Sequence, residues 1–391
     1  DRPNVMSYFK CGGLRTLTKQ QIRRMRDGLE HGMRHYLISI RGKDLQYVIE
    51  SKGHNSAGKI DDVKLVQIKA GRIATIVKTV SNKLKIIVWD IDLKLGGNII
   101  MRRGSGGKPW IIKAFSACSI GLDMIATATK TENDYLEVNT WKISESGEVN
   151  FLHSASSGKV GEGTDVISAC RLGIEWLATA VRTDSGQLKI IIWHIDAEGK
   201  IEMITSTTGG SANNVSINSI SSDSIVASVT DSPGGTMTVT NWRYLFDEKK
   251  LESGTSIQAG SVNAISSSQM NWDLSATTLM TSSSKLKIIA WEHSDDFQLI
   301  ARLGDIPGGT VSEVSSCRFG IDVLATAVRT GGHLKIILWE LVSDGNYIVR
   351  KAAKVSDQAS KVSICSVGGN LLVTGFKTDT GHLKLISWEI K

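Results

Sequence analysis

The run Gln187-Leu-Lys-Ile-Ile-Ile-Trp193-His-Ile195 decides how the rest of the chain is read. Its middle residues are apolar at consecutive positions, so a strand built from it needs cover on both faces. The same anchor returns at Leu84–Trp89, Leu136–Trp141, Met237–Trp242, Leu286–Trp291, Leu334–Trp339 and Leu383–Trp388. The seven tryptophans are 52, 52, 49, 49, 48 and 49 positions apart, which marks a repeat array.

Working outward from each anchor, a second apolar run precedes it, as in Leu177-Ala-Thr-Ala-Val-Arg-Thr183. The two are joined by a short turn rich in Gly, Ser, Asn or Asp, the signature of a β-hairpin. A run of smaller residues lies further upstream (Val166–Arg171, Val314–Arg318, Val362–Ser366), and a more polar one lies downstream (Ile201–Thr205, Tyr347–Ala352). Each repeat therefore reads as four short strands. Radial stacking of four-stranded units covers both faces of every sheet, so the expected fold is all-β, a seven-bladed β-propeller of four-stranded antiparallel blades. After Trp388 only three residues remain, so the seventh unit lacks an outer strand. Leu45–Glu50 is expected to supply it by pairing with Leu383–Trp388, which also removes two exposed edges. The Gly-rich stretches Gly104–Lys108, Gly158–Gly163, Gly209–Asn213 and Gly308–Gly309 read as interblade loops.

The first residues follow a different pattern. Thr18-Lys-Gln-Gln21 has the form of a capping box, and Ile22, Met25, Leu29 and Met33 fall on one helical stripe. Pro3-Asn-Val-Met-Ser-Tyr8 followed by Leu17-Thr-Lys-Gln-Gln-Ile-Arg-Arg-Met25 resembles the Met-turn and closing helix of a metzincin zinc peptidase. The resemblance implies that Met6 is the Met-turn methionine and Tyr8 its neighbouring tyrosine. It also implies that residues 1–38 are the end of such a domain and 39–391 the propeller. The family's zinc helix, His-Glu-x-x-His, occurs nowhere in the sequence. This chain is accordingly expected to be no enzyme and to carry no cofactor or metal. Zinc is expected only in a parent protease, upstream.

Charge is concentrated at the same end. Residues 1–35 hold eight basic and three acidic side chains, whereas the whole chain carries +7. The repeat region is left nearly neutral, which excludes a duplex-binding surface. No apolar run is long enough to span a bilayer. Cys118, Cys170, Cys317 and Cys365 occupy one equivalent first-strand position and read as reduced core thiols. In the metzincin reading the partner of Cys11 lies in the upstream domain.

Two sets of residues are candidates for a binding surface. Lys78, Lys130, Arg182, Arg329 and Lys377 end the second strands, and Lys85, Lys189, Lys287, Lys335 and Lys384 open the third. Both sets flank the hairpin turns of one face, so they form a ring of cations that suits an anionic partner unless local acids neutralise it. Glu137, Asn139, Asp231 and Asn241 mark two divergent repeats, where polar residues replace apolar or basic ones. Such groups need internal partners or open a polar site. The innermost strands look small and uncharged, and no catalytic constellation stands out. The expected function is a secreted, non-catalytic binding module attached to the protease and recognising a protein or an anionic or neutral glycan surface. A hydrolase or lyase in the funnel, or a self-assembling structural protein, are the alternatives.

Overall fold

A computed structural model describes residues 47–391 except 99, 164, 272, 295–299, 321 and 343–346. The expected helix, Met6 and Tyr8 lie outside the described residues. Among those described, every regular element is a β-strand.

The strands fall into antiparallel groups of four, in which a hairpin is flanked by an inner and an outer strand. β1 (Ile49–Lys69), β2 (Arg72–Thr79), β3 (Lys83–Ile91) and β4 (Ile100–Ser119) open the array. β5 (Met124–Thr131), β6 (Tyr135–Ile143) and β7 (Val149–Lys159) follow. Then come β8 (Ile167–Leu172), β9 (Trp176–Arg182), β10 (Gln187–Ile195) and β11 (Ile201–Ser211). The fourth anchor lies in β12 (Val215–Ser219), β13 (Ser224–Thr230), β14 (Thr236–Leu245) and β15 (Lys250–Gln269), and the fifth in β16 (Leu274–Thr281), β17 (Lys285–His293) and β18 (Ile300–Thr310). β19 (Glu313–Arg318), β20 (Val323–Thr330), β21 (His333–Val342) and β22 (Tyr347–Gln358) precede the last three, β23 (Ser360–Gly368), β24 (Leu371–Lys377) and β25 (His382–Ile390). β1, β4 and β15 are long because each ends one group and begins the next. β4, for example, pairs with β3 through Ile111 and with β5 from Ile112.

The strand beside β25 is the first part of β1, in the register Ile49↔Ile390, Ser51↔Trp388, Asn55↔Leu385 and Lys59↔His382. This differs from the expected pairing of 45–50 with 383–388. An outer strand meets solvent, so the polar stretch Ser51–Lys59 serves as well as an apolar one, and its polarity hides it from a hydrophobicity pattern. The glycine stretches differ too. Residues 104–108, 209–211 and 308–309 lie inside strands rather than in loops. A Cβ on Gly104 would sit 2.2 Å from the Gly147 carbonyl oxygen, and one on Gly107 2.3 Å from that of Leu84. Glycine is required there by close strand approach.

Hydrophobic clusters fill the spaces between successive groups. Val138 and Leu136 pack with Leu177, Ile191 and Trp193 across one seam, and Ile87 and Trp89 pack with Val373 and Leu385 across another. The anchor tryptophans are buried, and all but Trp242 satisfy their indole N–H within their own hairpin. Trp89 donates to Thr75 at 3.0 Å, Trp193 to Thr179 at 2.9 Å, Trp339 to Thr326 at 2.9 Å and Trp388 to Thr374 at 2.9 Å. Trp141 and Trp291 do the same with Thr127 and Thr277. The third strand thus carries the apolar bulk and the second its polar counterpart.

Candidate functional site

The first strands carry one side chain at an equivalent place, fixed by pairing with the second strand. It is serine at Ser116, Ser168, Ser216, Ser266, Ser315 and Ser363, and lysine at Lys64. Ser116 Oγ accepts the N–H of Ala169 at 3.1 Å, Ser168 that of Ile217 at 3.0 Å, and Ser216 that of Ser267 at 3.0 Å. Ser266 accepts Ser316 N–H at 3.0 Å, and Ser363 accepts Leu65 N–H at 2.9 Å. Between β19 and β23 the seam bond lies two residues earlier, where the Glu313 carboxylate accepts Val362 N–H at 3.1 Å.

These strands enclose a cavity of about 430 Å³, lined by the serine series together with Asp62, Lys64, Asp165, Glu313 and Lys361. The sequence reading of the inner strands as nearly uncharged is therefore corrected. It drew on Val-Ile-Ser-Ala-Cys170 and Val-Ser-Ser-Cys317, whereas the charges sit in the first, third, sixth and seventh repeats. Aligning all seven inner strands at the serine position, which is Lys64 in the first, was the signal that could have found them.

The cations of the hairpin face are half-buried along their strands, and most have acidic neighbours. Lys78 meets Asp61 at 2.7 Å, Lys377 the same carboxylate at 3.7 Å, and Arg329 meets Glu313 at 3.8 Å. Lys287 pairs with Asp305 at 3.1 Å and Lys384 with Asp357 at 2.6 Å. Lys130 is fully buried, donates to the Gly161 carbonyl at 2.8 Å and pairs with Asp134 at 3.0 Å. Arg182 donates to the Glu162 carbonyl. Lys85, Lys189 and Lys335 have no ion pair among the described residues. The hydrogen bond from Lys78 holds the Asp61 carboxyl below its ordinary value, with Lys377 and Lys361 adding to the effect.

The divergent repeats contain internal networks. Lys108 is buried, donates to Asn139 at 2.6 Å and pairs with Glu137 at 3.2 Å, and its ammonium lies 3.5 Å from the Trp110 ring centroid and 3.9 Å from that of Phe151. Burial lowers its pKa, and Glu137 opposes the shift. Asn241 meets His293 Nδ1 at 2.9 Å, and His293 Nε2 lies 2.8 Å from Ser275 Oγ. All three are buried, and burial pushes the His293 pKa down to about 4. Sequence spacing did not bring these three together, because they come from two repeats. Asp231 is exposed and lies beside Ser232 at 3.2 Å. Burial raises the Cys118 and Cys317 thiols to about 12, and Cys170 and Cys365 in the same direction.

On the opposite face, the turns between first and second strands expose Leu122 and Ile174, at 81% and 77% of their surface. Two residues after Ile174, Trp176 packs on Tyr244 and Phe246, with ring centroids at 5.3 and 5.2 Å. Sequence reasoning passed over both residues, because a single apolar residue in a turn carries no periodicity.

No protein-family model and no curated protein matches this chain. The WD40 domain of Toxoplasma gondii coronin is similar in structure, with a TM-score of 0.58 at 13% identity over 88% of this chain and 87% of that one. A protein from Lactobacillus plantarum is similar with a TM-score of 0.56 at 8% identity, over 80% of this chain and 99% of that chain. At these identities the likeness shows the fold alone. It defines the class, an all-β repeat protein of the WD40-like β-propeller fold. Nothing in the comparisons supports the metzincin resemblance of residues 1–35. Among the described residues no helix is long and apolar enough to cross a membrane.

Proposed function

We propose that this chain is a non-catalytic, protein-binding scaffold, a seven-bladed propeller closed between β25 and the first part of β1. The observation that carries the binding role is the pair of apolar tips, Leu122 and Ile174, standing exposed in adjacent repeats, the second two residues before the Trp176 ring that packs on Phe246. Exposed apolar side chains are the ordinary basis of protein association. A photo-crosslinking residue placed at position 122 or 174 should trap one defined protein, and excess unlabelled chain should compete it away. The same residue at position 202, on the outer strand β11, serves as control. Equal labelling at all three positions, or none, would count against the proposal.

A second interaction is favoured by Lys85, Lys189 and Lys335, which lack ion pairs among the described residues of the hairpin face. They suit a sulfated or acidic glycan, and replacing Lys189 and Lys335 by Ala should abolish salt-sensitive retention on such a polymer. Unchanged retention would remove this reading. The placement outside the cell, behind a metzincin-like protease domain, rests on the Pro3–Tyr8 and Leu17–Met25 patterns. Zinc analysis of the complete polypeptide from its source tests it, with one zinc per chain expected and none contradicting it.

A further inference from the structure

Lys64 is the one lysine among seven equivalent inner-strand positions, and its substitution has a structural cost. Each serine discussed above, Ser315 apart, accepts a backbone N–H across a seam. An ammonium has three donors and no acceptor, so Lys64 cannot make this bond to β4. The lysine finds no compensation inside the protein, since among the described residues it has neither an ion pair nor a side-chain hydrogen bond.

The acids nearby are engaged elsewhere or face solvent. Asp62 Oδ1 accepts the N–H of Val63 at 2.8 Å. Glu313 holds Val362 N–H and faces Arg329. Asp61 is shared by Lys78 and Lys377, while Asp165 stands exposed at the rim. On either side of Lys64 in ring order lie Ser363 and Ser116. Ser363 is only 4% exposed, it lines the cavity, and its own hydroxyl proton has no acceptor among the described residues. The same holds for the protons of Ser116, Ser168 and Ser216.

We propose that the cavity is a binding site for a small hydroxylated carboxylate of the sugar-acid class. The Lys64 ammonium would hold the carboxylate, the free serine protons would donate to it and to the ring oxygens, and Asp62 would accept from ligand hydroxyls. A volume of about 430 Å³ falls within the range of small-molecule pockets. The cation selects an acid over a neutral sugar, and the flanking Asp62 disfavours a doubly charged phosphate. The site stands on the cavity alone and is independent of the apolar tips on the opposite face.

Calorimetric titration of the full chain with D-glucuronate tests it, with D-glucose as the neutral control. Saturable binding of glucuronate but not glucose is expected, weakened at least tenfold in Lys64→Ser, a loss typical for one charge-assisted contact. Lys64→Ser should also restore the missing seam hydrogen bond and melt no lower than the parent, so lost binding cannot be put down to misfolding. Lys200→Ala, in the exposed turn between β10 and β11, should bind as the parent does. No saturable glucuronate binding by the parent, or equal binding by Lys64→Ser, would overturn the proposal.

Discussion

In the third repeat the indole N–H of Trp193 is donated to Thr179, whereas in the fourth the N–H of Trp242 is buried with no acceptor. Strand register explains the difference. Ala227 stands where threonine stands in the other six, two residues along β13 from Ile225, the partner of Trp242. On its other face the fourth repeat carries Asn241, joined to His293 and Ser275 of the fifth, where the third repeat has Ile192, Ile195 and Leu177. One position has lost a polar partner and another has gained a polar network. The shared residues thus set the framework, and the departures carry whatever is particular to this protein.

The largest effect should come from acid. His293 is held neutral in the folded chain with a pKa near 4, against 6.5 for the free side chain. Its contribution is fully present above pH 6.5 and is lost as pH falls towards 4, because the unfolded chain takes up the proton first. Between pH 7.5 and 4 this costs about 3 kcal/mol. The triple variant Asn241→Ile, Ser275→Leu, His293→Ile, which installs the third repeat's residues, should lose that much less. Denaturant titrations at the two pH values measure it, and identical acid losses would contradict the network.

Removing a threonine partner should matter next. Thr179→Ala leaves the Trp193 N–H buried and unpaired, at a cost of about 2 kcal/mol. The converse change, Ala227→Thr, supplies the acceptor Trp242 lacks and should stabilise by about 1 kcal/mol. Thermal melts of the two variants should move in opposite directions, and a shift of both the same way would break the comparison. The smallest effect belongs to Asp61→Asn, which unties Lys78 and Lys377 on a solvated face. A loss below about 1 kcal/mol is expected, vanishing in high salt.

Much of this framework was legible in the sequence because the anchor strands are buried on both faces and repeat at fixed spacing. The outer part of β1 was not, since Ser51–Lys59 needs no apolar residue to meet water. Gly104 and Gly107 misled as loops because close strand approach and turn formation call for the same residue. Hairpin cations could be placed from sequence, but their partners lie partly in their own group and partly, as Asp61 does for Lys377, in the next one, and only the structure assigns them. Lys64 was visible all along, yet its meaning depends on knowing that the serines across from it clasp the next strand.

The closed propeller is tested most directly by backbone hydrogen exchange at its two meeting ends. If the first part of β1 completes the last group, the amide of Asn55 in β1 and those of Leu385 and Ile386 in β25 should exchange together, protected to the level of β10. Rapid exchange of His382–Ile390, as of a frayed chain end, with β10 still protected would contradict it.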